Sequence, residues 1–242
     1  MIFVDAREGV SGDMLLAAML GLFEPEPRAS AHERLALACR ERMSEFHLME
    51  LEDGGEKGLG ITYLDRSERA HGLSYVEATE ALSEIDRELG SSGPLSARIL
   101  ALLFDAESKA HGLPKEEVHL HELGRTGALM NIAGIGLTAS QLLRPAKDTV
   151  VCSTITTGKG TVVMSHGPSG VPAPAVRHLL EGLRHVPGTH PGERATPTGT
   201  AALRALVSSQ SDDIPVSPGA RSVGFGTKRF GGRLGRVVLH RI

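Results

Sequence analysis

The chain has 242 residues, 40% of them hydrophobic and 23% charged. That is ordinary for a globular chain and enough for one large domain or two small ones with a sizeable core. Lys+Arg number 26 against 29 Asp+Glu, a net charge of −3, so no global basic field exists to gather nucleic acid. Aromatics make up 3% with no Trp, too few for a platform that stacks single-stranded bases. The two cysteines, Cys39 and Cys152, exclude a disulfide framework and point to a reducing, cytoplasmic location.

The chain opens on MIFVDA, an apolar strand over residues 1–6 that ends at Asp5. Acidic Asp5, Glu8 and Asp13 interrupt this end, so it does not read as a signal peptide. After a Gly-containing loop, Ser11 or Gly12 leads into the helix DMLLAAMLGLF, with Asp13 in its first turn. Residues 31–43 read as further helix. Two strands, 46–52 and 59–65, flank the turn GGEKG. Ser74 caps a helix running to about Leu89, GSSGP breaks it, and another runs from Ser96 to Ala110. Residues 127–143 are the most apolar stretch. It is short for a membrane span and interrupted by Asn131, Ser140 and Gln141, so we read it as a buried helix whose small residues allow close packing. Residues 148–157 predict a strand, 173–183 a helix after VPAP, and Thr198 the cap of a short helix over 199–207. The loop 187–195 is the best candidate for a subdomain joint within a single domain, and strands are expected near 221–227 and 235–241. Strands first, helices in the middle and strands again favour an α+β fold: a mixed β-sheet covered by helices, with a helical middle segment.

Five segments carry residues capable of chemistry. In VHLHELG, residues 118–124, His119 and His121 lie two apart and share one face of an extended segment. Glu122 can be a third ligand or orient an imidazole, a set that suits nickel, zinc, copper or iron. A polar loop with solvated histidines satisfies the same spacing. In DAREGVSGDM, residues 5–14, a strand ends at an Asp and a helix opens at Ser11-Gly12-Asp13, where free backbone N–H groups favour anions. A capped turn with Asp13 complementing the helix dipole accounts for it equally. In SHGPSGVPAPA, residues 165–175, His166 precedes a stretch stiffened by Pro172 and Pro174, which serves a structural turn as well as a site. In GERATPTGTAAL, residues 192–203, Thr196, Thr198 and Gly199 open a helix and offer hydroxyls and N–H groups to a phosphate or carboxylate, or simply cap it. The tail from Arg221 to Ile242 is basic, with Lys228 and Arg229 among its cations and no acidic residue. It is either a strip facing a phosphate or a partner, or a sheet edge protected by charge.

Together these segments resemble the LarC family of nickel-insertion proteins over nearly the whole chain. The carriers are D-x3-G-x-SGDM at 5–14, H-x-HE-x-G at 119–124, VVCS at 150–153, HG-x3-VPAPA at 166–175, TPTG at 196–199 and GFGTKRF at 224–230. The resemblance implies insertion of Ni2+ into a pyridinium bis-thiocarboxylic acid mononucleotide, during biosynthesis of a nickel-pincer nucleotide cofactor. It implies a chelatase-like lyase that consumes CTP with Mg2+ or Mn2+. Sulfur donors and nickel match chemically. On this reading His119, His121 and Glu122 hold the metal, and Asp5, Asp13, His119 and Glu122 carry the catalysis. Ser11, Gly12, His166, Thr196, Thr198, Gly199, Lys228 and Arg229 bind the substrate. Two departures stand out. The family places a pair of acidic residues four apart after H-x-HE-x-G, where this chain has Gly127 and Asn131. The match is to the N-terminal domain alone, so the CTP step is expected from a separately encoded C-terminal partner. Other expected partners are an anionic, nucleotide-like small molecule and further copies of the chain, with neither nucleic acid nor membrane. Two other functions fit the residues: a stand-alone lyase or cyclase using His, Asp and Glu for acid–base chemistry on an anionic small molecule, and a non-catalytic subunit that binds a partner through its basic tail.

Overall fold

The computed structural model describes residues 1–65, 72–91, 93–120, 126–144, 147–164, 167–216 and 219–242. Its frame is a seven-stranded mixed sheet. The strands are β1 (Ile2–Asp5), β2 (Ser44–Asp53), β3 (Glu56–Asp65), β4 (Val150–Cys152), β5 (Ser209–Gln210), β6 (Ala220–Phe230) and β7 (Arg233–Arg241). Their order across the sheet is β5-β4-β1-β7-β6-β3-β2. β1 pairs in parallel with β4 and antiparallel with β7, while β6 pairs in parallel with β3. The basic tail therefore forms the middle of the sheet and not its edge. The β2–β3 hairpin turns at Gly54 and Gly55, both at positive φ, as a tight two-residue turn requires. The strands of this hairpin reach closer to the turn than their apolar pattern suggests.

The helices are α1 (Gly12–Gly21), α2 (Pro25–Arg40), α3 (Tyr75–Glu88), α4 (Leu95–His111), α5 (Thr126–Leu142), α6 (Pro174–Leu179) and α7 (Pro197–Leu206). α1 is apolar on every side, and all residues from Met14 to Leu20 are buried, so it packs centrally. One side lies on β6, where a Cβ at Gly224 would stand 1.9 Å from the Met14 carbonyl oxygen. The other side meets α5, where a Cβ at Gly134 would lie 2.7 Å from Leu16. The small residues of α5 thus do what the sequence suggests, and twelve of its positions are buried. No helix among the described residues is long and apolar enough to cross a membrane.

Several boundaries differ from expectation. α2 starts at Pro25, six residues early, because proline is favourable in a first helical turn. The strand expected over 148–157 is broken at Ser153, whose hydroxyl accepts the Ala6 N–H at 2.9 Å and donates to the Thr154 carbonyl at 3.0 Å. The helix expected over 173–183 ends at Leu179. α7 is capped by Thr196, whose hydroxyl accepts from the Gly199 N–H at 3.3 Å, and Thr198 is buried two residues further in. α3 carries the expected Ser74 cap, completed as a reciprocal capping box by Glu77.

Candidate functional site

The loop after β1 is stitched to the chain before α7. Val10 N–H donates to the Arg194 carbonyl at 2.8 Å, and Thr196 N–H donates to the Val10 carbonyl at 3.0 Å. Gly9, at φ +103°, admits this approach, since a Cβ there would stand 2.3 Å from the Arg194 oxygen. Gly199 does the same one turn on, its absent Cβ lying 2.5 Å from the Ser11 Cα. Gly12 faces Thr198 and Asn131 at 2.9 and 3.1 Å. Gly12, Thr198 and Gly199 therefore serve close packing between the starts of α1 and α7. Ser11 and Thr196 are the residues that remain at the surface of the joint.

The third wall comes from the β6–β7 hairpin. Its register slips between Phe225 and Arg229, so Gly226, Thr227 and Lys228 bulge out opposite Gly235. A bulge re-aims side chains, and here it brings Lys228 to the same cleft as Ser11, Asp13 and Thr196. The described walls enclose about 110 Å³. The Ser11 hydroxyl donates a short hydrogen bond to Asp13. Burial pushes the Asp13 carboxyl above its ordinary value, opposed by that hydrogen bond, by backbone N–H groups at the start of α1 and by Lys228.

Sequence reasoning missed Arg194 and Phe230, which complete the cleft. The Arg194 guanidinium lies over the Phe230 ring at 4.2 Å, and its Nη1 donates to the Glu8 carbonyl at 3.1 Å. Burial pulls its pKa down, with Glu8 acting the other way. The only hint in the sequence was the place of Arg194 just before TPTG.

Other expected residues lie elsewhere. Asp5 borders a separate cavity of about 490 Å³ with Arg7, Glu56, Arg221, Arg236 and His240. Burial raises the Asp5 carboxyl, but hydrogen bonds from Arg7 outweigh it and hold the group below its ordinary value. Arg229 turns to Asp53 at 2.8 Å and to the Gly232 carbonyl at 2.7 Å. His119 is exposed on a two-residue strand paired with Ser74 beside the cap of α3. Its Nδ1 lies 3.2 Å from the Glu117 carbonyl, which can only accept. A proton on Nδ1 would serve that contact and leave Nε2 as the ring nitrogen facing outward for a metal. His121, Glu122 and His166 lie outside the described residues, and among the described residues no group of three or more His, Cys, Asp or Glu is placed to hold a metal ion. Gly127 and Asn131 are both occupied by Tyr63. Its ring fills the space where a Cβ at Gly127 would lie, 2.8 Å away, and its hydroxyl donates to Asn131 at 2.8 Å.

Residues 2–239 match the family described as "Nickel insertion protein". The chain belongs to this family. It is 34% identical over 226 residues to a pyridinium-3,5-bisthiocarboxylic acid mononucleotide nickel insertion protein of Thermotoga sp. (strain RQ2), covering 86% of this chain and 53% of that relative. A protein of the same description from Akkermansia muciniphila is 31% identical, with 92% of this chain and 54% of the relative covered. A "Putative nickel insertion protein" of Pelobacter propionicus is 32% identical, with 95% and 57% covered. The chain thus spans about half the length of the curated relatives it matches. No solved structure matches it.

Proposed function

We propose that this chain binds Ni2+ and a pyridinium bis-thiocarboxylic acid mononucleotide and takes part in moving the metal onto the sulfur atoms of that nucleotide. The observation that carries this reading is the meeting of Ser11, Asp13, Thr196 and Lys228 at one cleft. Three stretches far apart in sequence supply them, and all are motif segments of a nickel-insertion family. The cleft receives the anionic nucleotide. The His-x-His-Glu segment holds the metal: exposed His119 offers it an imidazole nitrogen, and His121 and Glu122 complete the set. Nickel then passes from imidazole to thiocarboxylate, whose sulfur donors match a later first-row metal. The CTP-dependent part of the reaction, with its Mg2+ or Mn2+, goes with the portion of the relatives' length that this chain does not span.

Isothermal titration with NiCl2 tests the metal role. The wild-type chain takes up nickel stoichiometrically, and His119→Ala combined with His121→Ala abolishes uptake. No uptake by wild type, or undiminished uptake by the double variant, removes the metal role. Turnover of an anionic substrate by metal-free protein would instead select a lyase or cyclase.

A further inference from the structure

The arginines around the neighbouring cavity are each matched to a carboxylate. Arg7 meets Asp5 at 2.6 Å, Arg221 meets Glu56 at 3.0 Å, and Arg236 meets Glu8 at 2.6 Å and Glu56 at 3.2 Å. Arg194 differs. Its Nε is shut off from solvent and has no hydrogen-bond partner. Among the described residues its guanidinium makes one hydrogen bond, to a backbone carbonyl, and pairs with no carboxylate. A partly buried cation with no carboxylate in direct contact is unfavourable for folding, and the more distant Glu8 offsets this only in part. Its place is nevertheless fixed on both sides. Arg194 N–H donates to the Thr157 carbonyl at 3.1 Å. The Phe230 ring beneath it is wedged by backbone, since a Cβ at Gly192 would lie 2.9 Å from the ring and one at Gly235 3.1 Å.

With Nε closed off and Nη1 held by the Glu8 carbonyl, Nη2 is the guanidinium nitrogen left for a ligand, and a charged N–H donor to a phosphate oxygen makes a strong hydrogen bond. Lys228 is the second cation of the cleft, exposed on its bulge and, among the described residues, in no ion pair. The acids of the same walls are otherwise engaged: Glu8 with Arg236, Asp13 with Ser11, and Glu193 with a partner of its own.

We propose that Arg194 on Phe230, together with Lys228, forms the phosphate subsite of the cleft and is what selects a phosphomonoester over the uncharged sugar. A phosphomonoester carries about −1.5 to −2 charges near pH 7, a match for two cations. This assignment rests on the nucleotide reading above, but not on the metal.

The test compares three probes by calorimetry: pyridinium-3-carboxylic acid mononucleotide, its dephosphorylated riboside, and inorganic phosphate. Wild type binds the mononucleotide about tenfold or more tightly than the riboside, and inorganic phosphate competes with the mononucleotide. Arg194→Lys and Lys228→Gln each weaken the mononucleotide about tenfold or more and leave the weak riboside binding as it was. Equal affinity of wild type for mononucleotide and riboside overturns the proposal. So does wild-type mononucleotide affinity in both variants. Phosphate binding that does not compete with the mononucleotide places the anion elsewhere and also overturns it. Melting curves confirm that the variants are folded, and Lys228→Gln, on an exposed bulge, serves if Arg194→Lys is not. Nickel uptake by wild type in the same samples reports separately on the metal reading.

Discussion

Asp86 shows how a single titratable group links packing to pH. It sits on α3 with its Oδ1 accepting from Ser96 at 3.1 Å. Burial pushes its pKa up to about 6, against which the Ser96 hydrogen bond works. The native chain therefore holds a proton that the unfolded chain releases near the ordinary carboxylate value of 3.8. Stability falls as pH rises from about 4 to about 6 and stays lower above that. Asp86→Asn keeps an acceptor for Ser96 and removes the charge. We expect it to raise stability by about 1–2 kcal/mol at pH 8, after allowance for partial exposure, and to have little effect at pH 4. Melting temperatures measured across that range decide the matter; an equal effect at both pH values would contradict it. At this same scale the sequence was a mixed guide. It pointed to Ser11, Asp13, Thr196 and Lys228, because helix starts and a basic Gly-rich strand leave readable marks. It missed Arg194, because an arginine in a loop looks the same whether its partner is a carboxylate, a ring or a ligand.

At the scale of elements, glycine decides which surfaces meet. α1 lies on β6 because Gly224 has no side chain. A Cβ there would stand 1.9 Å from the Met14 oxygen and 2.7 Å from the Ala18 nitrogen, both backbone atoms of α1. Gly224→Ala must push the helix off the sheet, and we expect a loss of about 3 kcal/mol, or roughly 6–12 °C in melting temperature. Gly93→Ala is the control, with nothing within 4 Å of its Cβ and a melting temperature expected to match wild type. Calorimetry of the two variants should separate them clearly. The element types were legible from periodicity: the apolar run of α1, the Ser74 capping box and the Gly54–Gly55 hairpin all carry local signals. The ends of α2 and α6, and the break at Ser153, were not. Their limits follow from contacts with distant chain, such as the Ser153 hydroxyl that accepts from Ala6.

At the scale of the whole molecule, both thiols lie in the core that α1, α5 and the sheet enclose. Cys39 and Cys152 are 0% and 1% exposed, and burial pushes each thiol up to about 12. Neither offers a thiolate to nickel or to an alkylating reagent in the folded state. We expect iodoacetamide at pH 8 to label them only at the rate of unfolding and to label both at once in denaturant. Fast labelling of either in native protein would show that the core opens locally.

By itself the sequence determined the family, the α+β class and the apolar helices. Those are written in local order: motif spacing, hydrophobic period and caps, each contained within a few turns of chain. Only the tertiary structure decided that the basic tail is the centre of the sheet, that Asp5 and Arg229 face away from the cleft, and that Arg194 and Lys228 share it. Strand order and a register slip between β6 and β7 set those outcomes. Strand order depends on pairings between residues more than two hundred positions apart, as Ile2 with Arg241 illustrates, and no short stretch of sequence encodes such a pairing; the slip is local to the hairpin, but where it aims Lys228 depends on what packs against it.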